Sequence, residues 1–138
     1  MTRSIPKLVT MSRKEILEAL TQSKDLQGVD ARKANLAKID FSGCDLRGSN
    51  FSYANLKEAI FKDADLSSAS LWNANLEGAD FSNANLEDAD FDYAKIRGAN
   101  FLNANIRRAS LPTELISRED IMKSVETGSR VGQTRNRG

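Results

Sequence analysis

The chain has 138 residues, a net charge of +1, one cysteine and no histidine. That length suits a single domain, and the charge balance removes bulk electrostatics as a reason to bind nucleic acid or an anionic membrane. Cys44 alone cannot found a disulfide framework, which fits a reducing compartment. No run approaches the ~18 apolar residues of a membrane span, and residues 1–9 lack the apolar stretch of a secretory signal. The expected compartment is therefore the cytoplasm, with no transmembrane segment.

The first predicted element lies in an N-terminal segment, residues 1–23. Ser12-Arg13-Lys14-Glu15 reads as a capping box, with Met11 and Ile16 placed as a hydrophobic staple. The helix they open should run to about Gln22, with Ile16, Leu17 and Leu20 on one face.

Residues 24–113 divide into fives, for example ANLKE, AIFKD, ADLSS, ASLWN, ANLEG and ADFSN. The centre of each unit is Leu, Phe or Ile, from Leu36 through Phe41, Leu46 and Phe51 to Ile106 and Leu111. Two residues earlier sits a small residue, Ala in every unit from Ala54 to Ala109. One residue earlier is usually Asn or Asp. Gly28, Gly43, Gly48, Gly78 and Gly98 all fall two residues after a centre, where a tight turn with positive φ would select glycine. A helix cannot hold this pattern, because five residues advance ~500° and the apolar stripe would drift around the axis. A long strand fails too, since its side chains alternate with period two. A short extended segment and a corner in each unit fit, with the centre and the small residue pointing inward.

This pattern resembles the pentapeptide-repeat family, whose loose motif is Ala-(Asp/Asn)-Leu-x-x. The resemblance implies an all-β solenoid, a right-handed quadrilateral β-helix of four pentapeptides per coil and about 4.5 coils in all; the chain's own capping motifs add short N- and C-terminal helices. A twenty-residue coil sorts the centres into uniform columns. Phe41, Phe61, Phe81 and Phe101 form one, Leu46, Leu66, Leu86 and Ile106 the opposite one, and Leu36, Leu56, Leu76 and Ile96 a third. A fifteen-residue period would mix the columns. A ten-residue period sorts them equally well, so the four sides come from the resemblance. The first units fit worst, with Lys24 in an inward slot and Ala31 at a centre. Cys44 takes an inward small slot and is expected to be a buried structural thiol.

Pro112 ends the repeats. In residues 114–128, Ser117 should cap a second helix with Asp120 at its third position. Ile116 and Ile121 would be its staple, Ile121, Met122 and Val125 its apolar side, and Gly128 its stop. Both helices are expected to cover the open coil ends, whose unpaired edges invite association. Some members of the family pair through their C-terminal ends, so the resemblance allows a monomer or a dimer through this helix. Residues 129–138, with Arg130, Arg135 and Arg137, are expected to form a disordered basic tail.

The sequence offers no route to catalysis and calls for no cofactor or metal. It has no cysteine pair, no phosphate-binding glycine loop and no nucleophile beside a histidine base. The aspartates before the centres, such as Asp45, Asp65, Asp80 and Asp90, are expected to bond corner backbone. Sorted by wall, Tyr53, Trp72 and Tyr93, the only Tyr and Trp residues, all fall on the side of Phe51 and Phe91. Exposed aromatics are preferred interface anchors, so this is the candidate face for a protein partner.

Charge is also segregated. No Lys or Arg occurs between Asp63 and Lys95, where Glu77, Glu87, Asp88 and Asp92 accumulate. Family members that act on DNA gyrase look like acidic duplex DNA. The repeat zone here has 13 acidic and 11 basic residues, a net of −2, and at ~4.8 Å per coil the rod is only ~22 Å long. A gyrase-directed DNA mimic is thus the lesser reading. So is weak, salt-sensitive binding of nucleic acid or membrane through the three tail arginines.

Overall fold

The computed structural model describes residues 10–132. Their hydrogen bonds follow one rule of five. The N–H of the small residue closes a turn onto the preceding centre, as in Ala54 N–H to Phe51 O at 3.0 Å. The N–H of the next residue reaches the previous coil, and those of the centre and the second residue after it reach the following coil. Asp45 donates to Lys24 O, Leu46 to Asp65 O and Gly48 to Ser67 O in this way. That leaves the N–H just after each centre, which the Asn or Asp side chain takes: Asn55 Oδ1 accepts from Lys57 N–H at 3.1 Å, and Asp80 Oδ1 from Ser82 N–H at 2.9 Å. All five backbone donors of a unit are thereby satisfied, and the Asn/Asp preference becomes a bonding requirement. Ile60 and Lys95 occupy the same slot without supplying that acceptor.

Every isolated parallel bridge, from Asp25↔Asp45 to Asp90↔Ser110, joins residues twenty apart. With one turn per five residues, a coil has four sides. No longer strand forms among the described residues; extended pairing is confined to single bridges between corners. At each corner every fifth residue from Gly28 to Arg108 has positive φ, between 57° and 81°. The five glycines sit where φ must be positive, but twelve non-glycine residues adopt it too. The left-handed region costs an L-residue roughly 1–2 kcal/mol, so the repeat imposes its corner even where glycine is absent.

The core is a stack of like side chains. Phe41, Phe61, Phe81 and Phe101 lie nearly parallel, with successive centroids 5.2, 5.0 and 5.1 Å apart. Phe51 meets Phe41 and Phe61 edge-on, and Phe91 meets Phe81 and Phe101 likewise. This corrects the expected arrangement of columns. The wall opposite the Phe41 column is that of Phe51 and Phe91, ten residues away around the coil, and the Leu46 column is a neighbour. Cys44 is buried, and burial pushes its thiol pKa up, which keeps it an inert structural residue. Ser49 takes an inward small slot, and its buried hydroxyl has no partner.

Among the described residues two helices flank the coils: α1 (Arg13–Gln22) and α2 (Arg118–Thr127). The capping box of α1 forms in both directions between Ser12 and Glu15. Ile16 is buried and Leu20 partly so, but Leu17 is 42% exposed, so the predicted three-residue face is narrower than expected. Leu17 falls beside Arg13, Lys14 and Thr21 on the outer side. Met11 N–H donates to Asp30 O at 2.7 Å, in the register that Ala31 N–H uses on Asn50 O, so residue 11 stands in for a missing coil. The Arg13 guanidinium takes two further edge carbonyls, Asn35 O and Ala37 O. Lys24, out of place for an inward slot, turns its ammonium to Ser42 O.

At the other end Ser117 caps α2 by accepting from Asp120 N–H, and Gly128, at φ 81°, stops it. Ile121 is buried on the last coil. The buried Ser124 hydroxyl accepts from Phe101 N–H, and Val125 O accepts from Asn103 N–H. Ser129–Gly132, expected to belong to a disordered tail, is instead bonded to the last coil. Val131 is fully buried and exchanges backbone bonds with Gly98 and Ala99, while Asp120 accepts from Gly132 N–H. Ser129–Gly132 is held because it satisfies edge groups that α2 does not reach. Residues 133–138, with Arg135 and Arg137, lie outside the described residues.

Candidate functional site

The wall of Phe51, Leu71 and Phe91 turns its outward slots into one aromatic cluster. Tyr53 and Tyr93 sit at corners with φ of 63° and 62°, two coils apart, and Trp72 sits on the coil between them. Their inward neighbours Phe51, Leu71 and Phe91 are fully buried, so the outer rings stand on a rigid base. The Trp72 centroid is 5.2 Å from Tyr53 and 5.8 Å from Tyr93, with interplanar angles of 79° and 83°. Edge-to-face pairs of this kind add about 0.5–1.5 kcal/mol beyond area burial. The cluster is therefore braced by its own ring contacts. Tyr53 is 51% and Tyr93 60% exposed, while Trp72 is half-buried between them.

A groove of about 370 Å³ adjoins Tyr93, walled by Ile96, Pro112, Leu115 and Ile116 and rimmed by Glu77 and Lys95. Leu115, in the connection to α2, is 90% exposed. In the sequence Pro112 marks only a break in the repeats. The signal for the groove is an apolar residue in a short connection with no helical or repeat period to bury it.

The secondary candidates separate into different environments. Arg108 ties Glu87 and Asp88 together, and its guanidinium holds the Asp88 carboxyl below the usual carboxylate range. Glu77 rims the groove. Asp92 occupies the outward slot of Trp72 one coil later and accepts a hydrogen bond from the Ser110 hydroxyl. Arg130 donates to Gly98 O at 2.7 Å, so it secures the last coil and does not form part of a free basic tail. Among the described residues no group of three or more His, Cys, Asp or Glu side chains is placed to hold a metal ion. Nor is any helix of those residues long and apolar enough to cross a membrane.

A profile described as pentapeptide repeats matches eight copies over residues 25–63, 59–92 and 84–112, more than half of the chain. The chain belongs to the pentapeptide-repeat family. Among solved structures it is similar to a pentapeptide repeat protein from the cyanobacterium Nostoc, with 27% identity and a TM-score of 0.71, over 86% of this chain and 97% of that one. It is also similar to a pentapeptide repeat protein of the Arabidopsis thaliana thylakoid lumen, at 35% identity and a TM-score of 0.55. That match covers 66% of this chain and 57% of the plant protein, so the chain spans little more than half of that relative. Among curated proteins none matches the sequence.

Proposed function

We propose that this member is a non-catalytic interaction scaffold, in which one wall of a right-handed quadrilateral β-helix presents Tyr53, Trp72 and Tyr93 to a protein partner. The twenty-residue register supports the four sides, and the family supports the hand and the absence of catalysis. The observation that carries the reading is the contiguous, braced and exposed aromatic cluster. An immobile wall loses little conformational entropy on binding, and aromatic side chains bring large contact area with few rotatable bonds. The groove beside Tyr93 offers a seat for one apolar side chain of the partner. The proposed compartment is the cytoplasm, supported by a lone buried thiol and the lack of a disulfide framework.

Capture from lysate of the source organism tests the reading, with the intact chain and Tyr53→Ala/Trp72→Ala/Tyr93→Ala as baits. A protein held by the first and lost by the second, with the second still folded by circular dichroism, supports it. Equal retention by both baits removes the aromatic wall as the site.

A further inference from the structure

The charges around the aromatic cluster define what lies on it. Some charges on the coils are neutralised within the chain: Asp30 with Arg32 at 2.8 Å on this same wall, Asp45 with Arg47 at 2.7 Å, and Glu87 and Asp88 with Arg108. The cluster is flanked by charges that are not. Lys33 occupies the outward slot of Tyr53 one coil earlier, is exposed, and has no carboxylate within 4.0 Å among the described residues. Asp92 occupies the outward slot of Trp72 one coil later, with Asp90 in the same unit. Asp92 accepts from the Ser110 hydroxyl and Asp90 from the Asp92 N–H, yet neither has a Lys or Arg nitrogen within 4.0 Å among the described residues. The wall thus reads, along the rod axis, as positive, aromatic, negative.

We propose that its occupant is an extended peptide segment of a protein partner, laid along the axis across Trp72. A carboxylate of that segment sits against Lys33, and an arginine or lysine against Asp92 and Asp90. This rests on the reading of the aromatic wall as a docking surface and adds the polarity of what docks. From the coil of Lys33 to that of Asp92 is three spacings, ~14 Å at ~4.8 Å each, and an extended chain covers that in about four residues. Apolar side chains between the two charges meet the exposed rings. The cationic end also gains from ring faces within reach. Complementary charge at both ends fixes direction as well as register, which an aromatic patch alone would not do.

A random ten-residue peptide library displayed on phage, selected on the immobilised full chain, tests this. Enriched peptides are synthesised with a fluorophore and titrated by anisotropy against the intact chain, Trp72→Ala, Lys33→Glu and Asp92→Lys. We expect enriched peptides to carry an acid and a base about four residues apart with apolar residues between. Lys33→Glu should weaken them about tenfold, with recovery when the peptide acid becomes lysine; Asp92→Lys should do the same for the basic end. Peptides lost on Trp72→Ala but indifferent to both charge reversals would overturn the polarity and leave the docking surface standing. Peptides indifferent to Trp72→Ala, or no enrichment, would overturn both.

Discussion

Truncating Phe81 to Ala should cost about 3–5 kcal/mol. Phe81 is fully buried, lies 5.0 Å from Phe61 and 5.1 Å from Phe101 in near-parallel stacks, and meets Phe91 edge-on. The ring's transfer from water supplies roughly 1.5–3 kcal/mol. The rest is cavity: neighbouring coils are tied to each other by backbone bonds every few residues, so the wall cannot collapse to refill the space. Phe81→Leu should cost only about 1–2 kcal/mol, because the neighbouring columns already hold leucine and only the aromatic contacts are lost. Urea unfolding followed by far-UV circular dichroism and by the fluorescence of Trp72, the sole tryptophan, would read both variants. At a slope of ~2 kcal/mol per M, the alanine midpoint should fall by about 2 M. A loss under ~1 kcal/mol for Phe81→Ala would refute a continuous, unyielding stack.

Three further outcomes follow from the same bonding scheme. Ser49→Ala should be neutral or stabilise by up to about 1 kcal/mol in the same urea assay, since it removes a buried hydroxyl without a partner. Asn75→Ala should cost about 1 kcal/mol, because Asn75 Oδ1 accepts from Glu77 N–H, whereas Lys95→Ala in the same column should cost nothing measurable. The Asp45 carboxyl is held below its usual range, chiefly by hydrogen bonding to Arg47, and Asp30 likewise by Arg32. A depressed folded-state value gives stability that is present above the ordinary carboxylate pKa of about 3.9 and lost as pH falls below it. Acid titration should show Asp45→Asn losing less stability than the intact chain between about pH 4 and pH 2.

Much of this was legible in the residues, because a strict period constrains backbone and core at once. The inward Leu and Phe, the glycine corners and the Asn/Asp acceptors each answer to one donor, one φ or one buried slot. The period could not order the columns around the coil, and the Phe41 column was matched with the wrong opposite wall. The ends were only half legible. Capping motifs located both helices, but Leu17 is exposed because helix periodicity cannot say how much of a face the coil end covers. Ser129–Gly132 lacks a local pattern and is held by edge groups of Gly98 and Ala99, which no short-range signal reports. No motif marks Arg13, yet its guanidinium bonds the carbonyls of Asn35 and Ala37. For the candidate site, spacing placed Tyr53, Trp72 and Tyr93 on one wall. Their mutual bracing depends on ring orientation, and the groove under Leu115 on the path of the chain after Pro112, neither of which a period encodes.

The central claim is that a partner reads one wall of four. A photo-reactive phenylalanine analogue at Asn73, in the outward slot between Tyr53 and Tyr93, and separately at Asn83 on the opposite wall, tests it in cells of the source organism. The account predicts a discrete protein adduct from position 73 that is absent from position 83 and disappears when Trp72→Ala is added. The same adduct from both positions, or one that survives loss of Trp72, would contradict it.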